Sequence, residues 1–149
     1  MNIQPVRLAA DCDIPRMVEM GRQFHAYAGI VEASFDPDSF ARTLKHGMQS
    51  ADQAYFVAEV DGRVCGMTGG VVYPSYFNHS ALAGQEMFWW SDSPGVGRGL
   101  YLALEKWAVS KGCKSFTMIA LADERSKRMD KVYKRMGYRP SEHCYIKGL

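Results

Sequence analysis

The chain has 149 residues, 47% of them hydrophobic and 23% charged, with a formal net charge of +2 at neutral pH. That length suits one domain, residues 1–149, with a real core, and the charge is too small to imply a nucleic-acid partner. No apolar run reaches membrane-spanning length and the first residues lack a basic-then-apolar leader, so a cytoplasmic protein without a membrane partner is expected.

Val6-Arg7-Leu8 reads as a short first strand. Asp13 can cap a helix whose Ile14, Met17, Val18, Gly21 and Phe24 share one face. Asp36-Pro37 starts a second helix, as cap and first-turn proline, leading to Phe40 and Leu44. Tyr55 to Val60 is strand-like, Asp61-Gly62 is a hairpin turn, and Val64 to Tyr73 returns the chain. Gln85 to Trp90 is the next strand, and Gly97 to Lys111 a helix that starts on glycines. Lys114 to Leu121 reads as a strand and Glu124 to Met136 as a basic amphipathic helix closed by Gly137. Cys144 to Lys147 has the composition of a terminal strand. Ala28 to Asp36, Pro74 to Gly84 and Arg139 to Glu142 are expected flexible connections. A three-strand meander followed by strand–helix crossovers predicts an α/β protein with a mixed sheet and helices on its faces. Cys12, Cys65, Cys113 and Cys144 are dispersed with no C-x-x-C pair, which predicts reduced thiols and neither a disulfide framework nor a zinc site.

The richest stretch runs from Gln85 to Lys111. Its apolar strand breaks at Ser91-Asp92-Ser93-Pro94 and passes through Gly95-Val96-Gly97-Arg98-Gly99. It resumes as a helix with Leu100, Ala103, Leu104, Trp107 and Ala108 at helical spacing. Such a turn frees backbone N–H groups, adds the positive end of the helix dipole, and lets a ligand approach the backbone. An anion site for a phosphate or pyrophosphate follows; the alternative is a loop whose glycines only set backbone angles. A P-loop would need Gly-Lys-Ser/Thr where Gly99-Leu100-Tyr101 stands. The dinucleotide fingerprint would need its third glycine one place later, at Leu100.

Four marks taken together resemble the GNAT superfamily of N-acetyltransferases, over nearly the whole chain. They are Asp13-Ile14-Pro15 at the first helix, Val57-Ala58-Glu59-Val60-Asp61-Gly62-Arg63-Val64-Cys65-Gly66 as a central hairpin, the glycine loop, and Val132-Tyr133-Lys134-Arg135-Met136-Gly137-Tyr138. The last is close to the family's leucine-tyrosine-x-x-x-glycine-phenylalanine pattern. The resemblance implies a GNAT-like acyl-CoA N-acyltransferase fold, acetyl-CoA (coenzyme A) as co-substrate, and direct transfer of acetyl to a primary amine, with no metal. It also implies a cofactor site at Trp89, Trp90, Gly95, Val96, Gly97, Arg98, Gly99, Lys127 and Tyr133. The family loop reads Arg/Gln-x-x-Gly-x-Gly/Ala, which puts Asp92 where Arg or Gln would stand. Asp92 is therefore expected to turn away from the pyrophosphate, with Arg98 or Lys127 supplying the compensating charge. Lys127 itself stands where many relatives carry asparagine.

Acetyl transfer from a thioester requires that the amine lose a proton, that the developing oxyanion meet an aimed donor, and that the departing thiolate be stabilised. Glu86, on the strand before the loop, is the expected general base, with His25 or His79 as substitutes. Backbone N–H groups around Trp89 and Trp90 are the expected oxyanion donors, on a strand that relatives splay from its neighbour. Tyr133 is the expected proton donor; in the alternative reading it belongs to a core stripe with Met129, Val132 and Met136. The basic residues Arg125, Lys127, Arg128, Lys131, Lys134 and Arg135 form a solvated helix face, a nucleic-acid surface, or a contact to coenzyme A phosphates. The acceptor, a small-molecule or protein amine, would be shaped by residues 28–36 and by 74–84 with Tyr76, Phe77 and His79. Exposed tails or edge strands leave room for a homodimer. The alternative to an enzyme is a non-catalytic acyl-CoA-binding or regulatory module of the same fold.

Overall fold

The computed structural model describes residues 5–124 and 126–149. In chain order it runs β1 (Arg7–Leu8), α1 (Ile14–Ala28), α2 (Pro37–Met48), β2 (Gln53–Val60), β3 (Arg63–Ser75), β4 (Asn78–Ser91), α3 (Gly97–Ser110), β5 (Cys113–Thr117) and α4 (Ser126–Arg135). The first four strands pair antiparallel and β5 joins β4 in parallel, in the spatial order β1-β2-β3-β4-β5. A parallel neighbour cannot be reached by a tight turn, so α3 makes the crossover. This is the mixed α/β sheet expected from the order of elements.

Local chemistry explains most boundaries. Asp61 and Gly62 both take positive φ, 50° and 78°, the geometry of a primed hairpin turn between β2 and β3. Asp36 caps α2 as expected, its Oδ1 accepting the backbone N–H of Asp38 and of Ser39, each at 3.0 Å. Asp13 does not cap α1. A short 3-10 turn, Asp11–Asp13, precedes that helix. The Asp13 carboxylate instead accepts the Ala10 N–H at 2.8 Å and the Arg7 guanidinium at 2.7 and 3.0 Å. Arg7 thereby holds the buried Asp13 below the usual carboxylate range and ties β1 to the start of α1.

The core lies on both faces of the sheet. On one, Met17, Met20 and Leu44 pack against Tyr55, Val57, Met67 and Phe88; on the other, Val96 and Leu100 pack against Ala58 and Cys65. Each fully buried Met or Leu contributes roughly 1.5–3 kcal/mol. Two neighbouring glycines let the layers close. A Cβ on Gly69 would sit 2.6 Å from the Tyr55 ring, and one on Gly70 would sit 2.7 Å from Leu104 of α3.

Several expectations need correcting. The stretch from Pro74 to Gly84 is not a loop: β3 and β4 pair through it, from Val72↔Gly84 to Ser75↔Asn78, with a register shift after Pro74 and Tyr76 and Phe77 at the tip. Pairing satisfies the backbone there and overrides the loop-like composition. The strand expected to reach Leu121 stops at Thr117. Cys144 to Lys147 forms no strand, and residues 139–149 are exposed without regular structure. Strand composition alone does not make a strand where no neighbouring edge pairs with it. Gly137, at φ 89°, follows α4 in the left-handed conformation expected of it. Arg125, counted among the basic residues of that helix, lies outside the described residues. The four cysteines are free thiols, and among the described residues no helix is long and apolar enough to cross a membrane.

Candidate functional site

The site begins where two strands part. β4 and β5 pair from Leu82↔Cys113 to Gln85↔Thr117, and there β5 ends while β4 continues to Ser91. Among the described residues no strand lies along that edge of β4 from Glu86 to Ser91. Backbone groups around Trp89 and Trp90 on this edge are therefore free of a ladder partner, as expected of a splayed strand.

A bulge sets what faces the gap. Gly70 pairs with Glu86 and Gly69 with Phe88, so Met87 is an extra residue. Gly70 faces Leu104 of α3, whereas Gly69 faces Tyr55 on the other side of the sheet. Glu86 accordingly points to the α3 face and Phe88 to the α1–α2 face.

Glu86 is only 5% exposed. Its Oε2 accepts the Ile119 N–H at 3.2 Å, and the Tyr133 hydroxyl donates to the carbonyl of the same Ile119 at 2.9 Å. Ile119, two positions beyond the end of β5, thus joins the carboxylate of β4 to the phenol of α4. Burial pushes the Glu86 carboxyl up to about 7, against the opposing pull of the Ile119 hydrogen bond. Burial also raises the Tyr133 phenol, and the neighbouring Glu86 charge raises it further. Tyr133 is half-buried and α4 has no fully buried residue, so Met129, Val132, Tyr133 and Met136 are only partly covered and do not form a fully buried core stripe.

The glycine loop delivers α3 without a cap. Gly95 takes φ 87°, Val96 occupies the cap position without a side-chain hydrogen bond, and the first turn carries no acidic residue. The open amides of Gly97, Arg98 and Gly99 lie at the positive end of the helix dipole. A Cβ on Gly97 would come within 3.3 Å of the Trp89 ring, so a side chain there would crowd the turn.

The Asp92 side chain is engaged away from these amides, and Arg98 and Lys127 are both exposed. The Asp92 carboxylate accepts the Trp90 indole N–H at 2.8 Å and the Arg16 guanidinium. Its backbone N–H donates to the Cys65 carbonyl at 2.7 Å. Arg16 comes from α1 and also donates to the Val64 carbonyl at 3.1 Å. Only the packing of α1 against the sheet brings it there, and no local pattern marks it.

The two tryptophans face opposite ways. Trp89 lies against Gly97 and 6.5 Å from the Tyr101 ring, whereas Trp90 packs on α1, 5.2 Å from Tyr27 and 6.4 Å from Phe24. Neither histidine joins the Glu86 cluster. His25 Nε2 lies 2.8 Å from the Ala33 carbonyl on the α1–α2 side. His79 is exposed near the hairpin tip, about 23 Å along β4 from Glu86 at the usual strand rise. Sequence reasoning also missed Glu105, which accepts the Tyr138 hydroxyl at 3.0 Å and the Tyr101 hydroxyl and so pins the end of α4 to α3. Its spacing of four from Tyr101 was the available signal.

On the opposite face a cavity of about 380 Å³ opens between α1, α2 and β4, walled by Phe24, Phe35, Phe40, Met67, Met87 and Phe88.

A parted mixed sheet beside an uncapped, glycine-led helix defines the GNAT-type α/β fold. The chain belongs to the acetyltransferase (GNAT) family, whose model matches residues 22–138. In fold it is similar to AAC(6')-Iy in complex with the bisubstrate analogue CoA-S-monomethyl-acetylneamine, at TM-score 0.78 and 16% identity over 99% of this chain and 97% of that one. A predicted acetyltransferase with acetyl-CoA from Clostridium acetobutylicum gives TM-score 0.76 and 17% identity over 98% and 96%. A Trypanosoma brucei acetyltransferase gives 0.75 and 19% over 99% and 100%. No protein of curated function matches the chain in sequence.

Proposed function

We propose that this protein transfers an acetyl group from acetyl-CoA to the primary amine of a small molecule by direct attack. The observation that carries the reading is Glu86: a buried carboxylate poised near neutral pH, beside an open strand edge and next to Tyr133. Family membership and the coenzyme A ligands of AAC(6')-Iy and the Clostridium protein support the choice of co-substrate.

The residues present fit that co-substrate. Gly97, Arg98 and Gly99 offer uncapped amides where Gly97 leaves room that a Cβ would fill, and no acidic side chain of the first turn competes. When bound, acetyl-CoA supplies an acetyl group activated as a thioester. The open edge of β4 at Trp89 and Trp90 offers backbone N–H groups for the negative charge that develops at the acyl oxygen. Glu86 takes the proton of an alkylammonium whose pKa is roughly 10, a transfer that a carboxylate near 7 performs better than one near 4.

Tyr133 has a narrower role than full proton donation. Its raised phenol is a weaker acid than a thiol, for which roughly 8.5 is usual, so it stabilises the departing sulfur chiefly as a hydrogen-bond donor. Lys127 is free to meet a coenzyme A phosphate from the exposed side of α4.

An Asp92 carboxylate aimed at the α3 amides would repel a pyrophosphate and favour the binding-module alternative. With its charge engaged by Arg16 and Trp90, Asp92 presents no repulsion to the loop, which favours the enzyme. Calorimetric titration with acetyl-CoA, against NADH and ATP, tests the site; release of free thiol on adding a primary amine tests the reaction. Binding without release on any amine would leave the module reading.

A further inference from the structure

We propose that the acceptor is a monoamine carried on an aromatic body, an arylalkylamine, and not a polycation such as an aminoglycoside. This deepens the acetyl-transfer reading and rests on it. The ground is the 380 Å³ cavity on the α1–α2 face, a size suited to one small ligand.

Its wall is a run of rings. His25 lies 5.7 Å from Phe35, Phe35 lies 5.7 Å from Phe40, and Phe40 meets Phe88 at 5.7 Å and 72°. Phe88 in turn stacks on the buried Tyr55. The space for the Phe40 ring exists because residue 21 is glycine: a Cβ there would lie 2.4 Å from that ring. Rings held edge to face present both faces and edges to an incoming aryl group, the arrangement that aromatic pairs prefer.

The charge count opposes a polycation. Asp36 is the sole carboxylate lining the cavity among the described residues, and its Oδ1 already accepts the N–H groups of Asp38 and Ser39. Nearby, the Arg22 guanidinium lies over the Phe35 ring at 5.1 Å and adds positive charge. Each further ammonium entering these walls would lose water without gaining a partner.

The cavity and Glu86 lie on opposite faces of the sheet, beside the gap where β4 and β5 part. Met87 lines the cavity, and the residue before Met87 is Glu86, which the bulge turns through to the other face at the point where β4 and β5 part. On this proposal an aryl body lodged against Phe35 and Phe40 extends its amine past Met87 into the gap between β4 and β5, across which the carboxylate lies. The ammonium gives one proton to Glu86, and the N–C bond forms as the thioester C–S bond breaks. The second proton leaves with the sulfur, and the products are an arylalkyl acetamide, free coenzyme A and one proton.

The test compares kcat/KM for 2-phenylethylamine, spermidine and kanamycin on the intact protein, with Phe35→Ala and Phe35→Leu beside it. The expected result is a preference of at least about tenfold for phenylethylamine, with its KM raised about tenfold in Phe35→Ala and less in Phe35→Leu. Calorimetric binding of acetyl-CoA should be the same in all three proteins. Preference for spermidine or kanamycin, or an unchanged KM in Phe35→Ala, overturns this inference and leaves acetyl transfer standing. If no amine is acetylated, titration of phenylethylamine into the coenzyme A-saturated protein decides. Heat that disappears in Phe35→Ala upholds the cavity assignment and charges the failure to the reaction; absence of heat overturns it.

Discussion

In the proposed reaction Glu86 joins stability and chemistry in one side chain. Burial lifts its pKa from 4.5 to about 7, so the folded protein keeps a proton that the unfolded chain releases over that interval. The associated stability is complete below the unfolded value and lost as pH rises through the folded one, a loss on the order of 3 kcal/mol. Glu86→Gln does not titrate. Its stability relative to the parent should therefore rise from pH 4.5 to 7.5, as read from denaturant midpoints. The same variant should lower turnover by about 10²- to 10⁴-fold and remove the limb of the pH–rate profile near neutrality; an unchanged profile would take Glu86 out of the reaction. Tyr133→Phe removes a hydroxyl that the proposed reaction uses after binding. It should lower kcat about tenfold while acetyl-CoA affinity holds, and equal turnover would reduce Tyr133 to packing. Both residues were legible in the sequence, Glu86 as an acid in an apolar strand and Tyr133 within its helix motif. Their connection through Ile119 was not, because it depends on where β5 ends.

At the scale of elements, a helix near the start of the chain engages the acidic side chain of the turn between β4 and α3. Arg16 of α1 holds Asp92 away from the α3 amides. Arg16→Ala should free that carboxylate and weaken acetyl-CoA binding several-fold, more at low salt than at high salt, since the repulsion is screened. Adding Asp92→Asn in the same chain should restore the affinity, measured by calorimetry. Failure of the second change to rescue would mean that Arg16 acts by packing α1. The same element-level lesson applies to β4. Its bulge at Met87 alternates a carboxylate toward one face and a cavity wall toward the other, and no alternation of residue types in Gln85 to Trp90 announces it.

For the whole molecule, ligand and fold are linked through the sheet. A co-substrate that binds only the folded state adds RT ln(1 + [L]/Kd), about 2.7 kcal/mol at a hundredfold excess over Kd. For a chain of this size that is a rise in Tm of roughly 5–11 °C. Acetyl-CoA should produce it, whereas NADH and ATP should not; equal shifts from all three would point to a general anion effect at the α3 terminus. Packing from both faces meets at Gly69 and Gly70, so the layers that hold the candidate base and the cavity are the same layers that hold the fold.

What the sequence determined by itself was everything carried by neighbours along the chain. This covers the order of strands and helices, the Asp61-Gly62 turn, the Asp36 cap, the glycine-led start of α3 and the motif around Tyr133 and Gly137. These rest on backbone angles, caps and helical spacing, which act within a few residues. Tertiary structure alone decided the point at which β4 and β5 part, the burial of Glu86, the restraint of Asp92 and the ring-lined cavity. It also decided that residues 74–84 pair as a hairpin and that Cys144 to Lys147 does not pair. The physical reason is separation. Glu86 meets Ile119 across 33 positions and Arg16 meets Asp92 across 76, so such contacts exist only once strand edges and helix faces have found their partners.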